Sequence, residues 1–405
     1  MRWLLLIIIT LLVDVYAYQA FRTLNRSALL LVLYFFITAV VVGSFIYKLY
    51  TSNGNFFSAL GVEFGVFLAV FLAKLVLVLF LFGEDISRFF IGIFHLSSGE
   101  FFKTPGRRKF ISTLALGVAS IPFLGVLYGI FKGKYDFRVL NYTLYFDDLP
   151  DAFDGYRVAQ ISDIHSGSFD NKEKVEYGID LVNQQNADVL FFTGDLVNRV
   201  ASEMEDWTNT FSALKAEDGV YSILGNHDYG DYAGWNTKEE KAENLQRLKN
   251  IHKEMGWDLL LNEHRYLKRG VDKIAVLGVE NWGKGHFKKA GDLEKAGKNV
   301  ADADFKIVLS HDPSHFQEKI KNNKKFYHLT LSGHTHGMQF GIEIPGFIKW
   351  SPAKYRYKNW VGIYQENGRY INVNRGFGYL AFPGRVGMWP EVSVITLKKG
   401  TKPVS

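Results

Sequence analysis

The feature that most limits how this chain can fold is its first third, where Trp3–Ala20, Ala28–Tyr50, Phe56–Phe82 and Phe110–Phe131 form four long apolar stretches in succession. Each approaches or exceeds the roughly 20 residues an α-helix needs to cross a hydrocarbon core of about 30 Å. So many in a row do not read as the buried helices of a soluble domain. They predict an all-α transmembrane region over residues 1–134, with helices at 3–20, 28–50, 56–82 and 110–131.

Cytoplasmic loops of membrane proteins collect Lys and Arg. Arg22 and Arg26 separate the first two stretches, and Arg88, Lys103, Arg107, Arg108 and Lys109 lie between the third and fourth, whereas Lys48 alone serves the second connection. Alternation puts both basic connections inside, despite Lys132, Lys134 and Arg138 after the last stretch. The expectation is a multi-pass protein of a bacterial inner membrane with its C-terminal part extracytoplasmic. A cleaved signal peptide at the first stretch would leave the strongest basic loop outside, which the same rule disfavours. Arg107-Arg108-Lys109-Phe110-Ile111 looks like a twin-arginine export signal, yet it is internal and agrees with an outward-going fourth helix. Asp14, Glu63 and Lys74 fall inside apolar stretches, where ionisable groups are costly. They predict either pairing or snorkelling of helices, or a relay path.

From Tyr135 onward the pattern changes to short apolar runs alternating with polar helical ones, which predicts a layered α/β domain over 135–405. Strands are expected at 137–145, 157–161, 189–193, 220–224, 274–279, 306–310 and 328–332, helices at 172–185, 203–215 and 237–255, and more strand and turn signals after Phe340. A net charge of +6 without a Lys/Arg block gives no nucleic-acid signature. The absence of cysteine excludes disulfides, thiolate metal sites and a lipidated cysteine anchor.

Polar clusters recur just after the buried strands, where α/β sheets gather ligand-binding groups. They are Asp163-Ile164-His165, Gly194-Asp195, Gly225-Asn226-His227-Asp228, Ser310-His311-Asp312-Pro313 and Gly333-His334-Thr335-His336. Each alone has an ordinary reading as a cap or turn. Together they make a donor set of carboxylate, imidazole and amide oxygen without sulfur, which suits Mn, Fe, Zn or Co better than Ca or Mg. The set is too large for one four-coordinate ion; two divalent metal ions bridged by one carboxylate would use it all. Such a pair lowers the pKa of a bound water towards roughly 7 and attracts an anionic phosphate ester.

The ordered motifs resemble the calcineurin-like metallophosphoesterases over roughly Tyr135 to Lys399. The resemblance implies a two-sheet β-sandwich flanked by helices. It implies that Asp163, His165 and His336 hold one ion, that Asn226, His311 and His334 hold the other, and that Asp195 bridges. His227 would contact the phosphate and protonate the leaving oxygen, with Asp228 orienting it. The tail, Asn374-Arg375-Gly376-Phe377-Gly378 with Arg385 and Pro390-Glu391, is similar to that of the membrane-associated bacterial branch; Arg385 would either bind a second substrate phosphate or pair with Glu391. The sequence departs from the family at Asp228, where Glu is common, and at Met338, where Gly is common. His315, four residues after His311, reads as a solvated helix residue.

The expected function is hydrolysis of a phosphodiester or pyrophosphate, with a lipid-linked phosphoester as partner alongside the membrane lipids themselves. Two alternatives stand beside it. One is a UDP-2,3-diacylglucosamine pyrophosphatase-like enzyme if the domain is cytoplasmic. The other is a non-catalytic membrane scaffold or a regulator of transport.

Overall fold

The computed structural model describes residues 2–52, 60–96, 105–344 and 346–402. By backbone proximity the chain divides into two units, Met1–Phe131 with Ala381–Gly384, and Lys132–Leu380 with Arg385–Ser405. The short segment Ala381–Gly384 thus groups with the helices, although it lies inside the stretch expected to form the second domain.

The first unit consists of α1 (Arg2–Leu24), α2 (Ala28–Thr51), α3 (Val62–Leu96) and α4 (Pro105–Phe131), all four long and apolar enough to cross a membrane. Small side chains let them approach: Ala17 and Ala20 of α1 meet Ala115 and Ala119 of α4 and Leu77 and Leu81 of α3. Large ones such as Leu12, Phe36, Leu79 and Ile121 are exposed, as a lipid-facing surface requires. Residues 56–59 of the expected third helix lie outside the described residues. At its other end α3 runs well past Phe82, and α4 starts before Phe110. The reason is electrostatic: Glu84 and Asp85 of α3, which end the apolar stretch in the sequence, both pair with Arg108 of α4, and Gln19 of α1 accepts from the same guanidinium at 3.0 Å. Deeper in the bundle the buried Lys74 ammonium pairs with Asp14 and donates to Thr38 Oγ1 at 2.6 Å. Lys74 therefore ties α3 to α1 and α2.

In the second unit, β1 (Arg138–Phe146), β2 (Arg157–Ile161), α5 (Lys172–Asn183), β3 (Val189–Phe192), α6 (Thr208–Phe211), β4 (Val220–Ser222), α7 (Lys238–Glu254) and β5 (Asp258–Leu259) come first. There follow β6 (Glu263–Arg269), β7 (Asp272–Gly278), α8 (Leu293–Ala296), β8 (Phe305–Leu309), β9 (Leu329–Ser332), β10 (Ile342–Ile344), β11 (Ile348–Trp350), β12 (Gly362–Glu366), β13 (Arg369–Val373) and β14 (Glu391–Lys399). Asn171 and Thr237 cap α5 and α7 by accepting backbone N–H bonds of 3.0 and 3.1 Å.

The strands form two six-stranded sheets, ordered β1-β14-β2-β3-β4-β5 and β12-β13-β9-β8-β7-β6, beside the separate hairpin β10-β11. Side chains alternate between faces of a strand. Val189 and Phe191 accordingly enter the core between the sheets with Ile274, Val276, Ile307 and Leu331, while Leu190 and Phe192 face outward with Val175 and Ile251 of α5 and α7. Ala275, Leu277 and Val308 pack outward on the second sheet against Leu293 and Ala296 of α8. This is a two-sheet sandwich flanked by helices. The strands β2, β3 and β4 are mutually parallel, as are β8 and β9. Gln160 of β2 donates to Thr193 Oγ1 and to the Ser332 carbonyl at the end of β9, so the two sheets meet at their carboxyl ends.

Replacing Asp14 alone by Leu leaves the Lys74 ammonium buried and unpaired, and is expected to cost about 3 kcal/mol. Asp14→Leu combined with Lys74→Met should recover most of that loss. Unfolding midpoints of the detergent-solubilised protein check it; equal losses in the single and double variants would refute the pairing.

Candidate metal centre

The loops after these strands leave ordinary backbone geometry where the chemistry begins. Asp163, His165, Asp195, His334 and His336 all have positive φ, between 49° and 71°. Non-glycine residues adopt this region rarely, Asp and His more readily than most, and at a cost of about 1–3 kcal/mol each. Neighbouring glycines make the room. A Cβ on Gly333 would run into Ser162 Oγ and Asp163 Oδ2, and one on Gly225 into Asp195 Oδ1. The turn at Gly333 instead wraps the Asp163 carboxylate, whose two oxygens accept the His334 N–H at 3.0 and 2.9 Å.

Two groups of donors result. Asp163, His165 and His336 bring one donor atom each within 4.8 Å of one another, and Asp195, His311 and His334 do the same. His165 Nε2 and His336 Nε2 face each other at 3.0 Å, and His336 Nε2 stands 3.2 Å from Asp163 Oδ1. Asp195 Oδ2 lies 3.0 Å from His311 Nε2 and 3.7 Å from His165 Nε2, between the two groups. His311 is aimed by its other nitrogen, which donates to the Thr193 carbonyl at 2.7 Å. Asn226 donates its amide N–H to Tyr232 Oη at 3.0 Å, and its Oδ1 is buried without a hydrogen-bond partner among the described residues.

Electrostatics sets the protonation tendencies of these donors. Burial holds the imidazoles of His165, His334 and His336 below the usual histidine range, in the neutral form whose lone pair can bind a metal. Burial also disfavours charge on His311, but Asp195 and Asp163 outweigh it and raise that imidazole to about 10. Both carboxyls are correspondingly held low: burial is overcome by His336 at Asp163 and by His311 at Asp195. The centre's buried orphans, His165 Nδ1 and Asn226 Oδ1, have no hydrogen-bond partner among the described residues. These residues fit divalent cations.

Six of the expected donors, Asp163, His165, His336, Asp195, His311 and His334, fall in these two groups, while two other expected roles change. His227 donates its backbone N–H to Asp195 Oδ1 at 2.8 Å and stacks on Tyr232, and its Nδ1 is held by the Asn198 carbonyl at 2.7 Å. Asp228 does not orient it. The buried Asp228 carboxylate accepts the backbone N–H groups of Asp195, Leu196 and Gly225 at 2.8–2.9 Å, so it shapes the loop that carries Asp195. Burial, then the Asp195 charge, push Asp228 up to about 7.

Arg385 is the second correction. Fully buried, it neither faces a second phosphate nor pairs with Glu391. It donates to the carbonyls of Arg375, Gly378 and Met388 and to His336 Nδ1 at 3.0 Å, while the partner of Glu391 is Arg375 at 2.6 Å. His315 is not solvated either: it is buried, bonded to Ser310 Oγ at 2.8 Å and stacked on Trp282.

The residues missed are those that reach in from loops. Tyr357 Oη meets His334 Nε2 at 2.8 Å, Asp312 Oδ2 stands 3.4 Å from the same nitrogen, and the ring of Phe287 lies edge-on to His334. Asp312 adjoins His311 in the sequence and was within reach of a reading. Tyr357 and Phe287 carried no signal.

Residues 1–134 match the family model for a probable calcineurin-like phosphoesterase transmembrane domain, and residues 156–338 that for calcineurin-like phosphoesterases. The chain is 27% identical over 302 residues to the metallophosphoesterase YkuE of Bacillus subtilis, covering 73% of this chain and 99% of that one. It is 27% identical over 283 residues to a transmembrane protein with metallophosphoesterase domain from Danio rerio, covering 67% of this chain and 60% of the relative. Among solved structures, phosphopantetheinyl hydrolase from Mycobacterium tuberculosis aligns with a TM-score of 0.31 and 11% identity over 54% of this chain and 88% of that one. The chain belongs to the calcineurin-like metallophosphoesterases, as a membrane-spanning, metal-binding phosphoric ester hydrolase.

Gly333→Ala is expected to open the turn around Asp163 and lower bound metal severalfold, with secondary structure retained. Metal analysis and circular dichroism of the purified variant check it; full metal content would show that the close approach at Gly333 is not required.

Proposed function

We propose that the protein hydrolyses a phosphodiester or pyrophosphate at a dinuclear centre, on a lipid-linked substrate. Asp163, His165 and His336 would hold one divalent ion, Asn226, His311 and His334 the other, with Asp195 shared. The observation that carries this reading is the position of Asp195 Oδ2 between His165 and His311. Mn, Fe, Zn and Co all suit the mixed nitrogen and oxygen donors. Such ions supply a nucleophilic water at neutral pH and neutralise phosphate charge.

The chain's own residues supply the rest. Because the Asn198 carbonyl accepts from Nδ1 of His227, that nitrogen carries its proton and Nε2 is the atom left to exchange one with substrate. We assign His227, carrying a second proton on Nε2, to give that proton to the leaving oxygen and return to the neutral ring. Tyr232, stacked on the ring, keeps it in place. Tyr357, at His334, lies where it would limit the size of what approaches that donor group.

His227→Ala is expected to lower kcat by about 10²–10⁴-fold on an alkyl phosphodiester, with metal content unchanged and a smaller loss on a nitrophenyl ester, whose leaving group needs no proton. Asp195→Asn should lose both metal and turnover. Unchanged turnover of the alkyl ester in His227→Ala would sink the assigned role.

For localisation, we propose a bacterial inner membrane with the hydrolase domain outside. Arg22, Arg26, Arg88, Arg107 and Lys109 support this side for the basic connections. A phosphatase reporter joined after Phe131 should be active and a fluorescent-protein reporter dark. The opposite pattern would favour a cytoplasmic UDP-sugar pyrophosphatase.

A further inference from the structure

The hairpin β10-β11 is built inside out. Its register pairs Ile342 with Trp350, Glu343 with Lys349 and Ile344 with Ile348. Alternation therefore puts Ile342, Ile344, Ile348 and Trp350 on one face and Glu343 and Lys349 on the other. In an ordinary hairpin of a soluble domain the apolar face packs inward. Here the polar face is the anchored one: Glu343 accepts from Arg375 at 2.6 Å, and Lys349 donates to the Val361 carbonyl at 2.9 Å. The apolar face is left outside. Ile342 and Ile344 are 50% and 52% exposed, and Phe347 between the strands is 85% exposed.

A two-stranded ribbon is marginal by itself, and an exposed apolar patch of this kind marks a surface that something covers. We propose that this face enters the interfacial layer of the bilayer, with an anionic lipid surface as its partner. Three observations favour lipid over a second protein. The same chain spans a membrane through α1–α4, so a bilayer is always tethered to it. Just after the hairpin, Lys354 and Arg356 are exposed and have no carboxylate partner among the described residues, a charge pattern that complements anionic headgroups. Tyr355, also exposed, and Trp350 belong to the residue types that settle at the membrane–water interface.

The hairpin is mechanically continuous with the metal centre. Ser351 Oγ donates to the Gly337 carbonyl at 2.6 Å, and Arg356 lies over the ring of Phe287, which itself touches His334. A phosphoester held by a lipid anchor at this face would have its charged group beside Arg356, at the threshold of the site. That consequence rests on the function proposed above; the lipid contact does not.

The chain contains no cysteine, so Phe347→Cys creates a unique labelling position. The full-length variant carries a bimane fluorophore in nanodiscs of phosphatidylethanolamine and phosphatidylglycerol, with and without doxyl-labelled lipid. Doxyl lipid is expected to quench the label by about twofold or more, and the label should resist aqueous iodide. Ile344→Cys, labelled in the same way, should behave alike and guards against a local fault of either variant. Free access of iodide without doxyl quenching overturns the proposal. So does shielding from iodide without doxyl quenching, which would mean that protein covers the hairpin. Either labelling result stands even if the enzyme proves to act on a soluble ester, so failure of the lipid contact and failure of the substrate reading are told apart.

Discussion

The site depends on one buried carboxylate whose partners are backbone N–H groups and not metal-donor side chains. Asp228 gathers the backbone N–H groups of Asp195, Leu196 and Gly225, and so joins the loops after β3 and β4 into a single turn. That turn forces Asp195 into the left-handed region and presents both its oxygens, one to the His227 N–H and one to the imidazoles. Gly225 has to lack a side chain for the two loops to close this tightly. An Asp at this position is short enough to reach its own loop's amides, which explains why the residue next to His227 serves the backbone instead of the histidine.

Much of the framework was legible because it is local. The buried run Arg157–Ile161 is a strand at the expected residues, and α7 lies within one residue of the expected charged helix at each end. Where reading failed, a side chain had intervened. The helix expected over 203–215 is present only as a turn at Ala201–Met204 and the short α6, with Glu203 accepting the N–H groups of Asn198, Arg199 and Val200 ahead of it. The long pairing of Arg108 with Glu84 extended two helices beyond what hydropathy marks. The five metal-type motifs were readable as a set because each ends a buried strand. Tyr357, Phe287 and the burial of Arg385 were not, since contacts between remote loops leave no periodic trace.

The hairpin β10-β11 was unreadable for a different reason. Alternating apolar residues in a strand normally announce which side is inward. Here the alternation is genuine and its usual meaning is reversed, because Arg375 and the Val361 carbonyl hold the polar side. Only the three-dimensional partner of Glu343 discloses the reversal.

The last strand has a consequence for how the protein is made. β14 lies between β1 and β2, pairing with one in parallel and with the other antiparallel. β1 is therefore cut off from the rest of the first sheet until Glu391–Lys399 leaves the ribosome. By then α1–α4 have long since emerged and can already reside in the bilayer. Synthesis thus separates membrane insertion from completion of the sandwich, and the nascent enzyme acquires its address before it can acquire its chemistry.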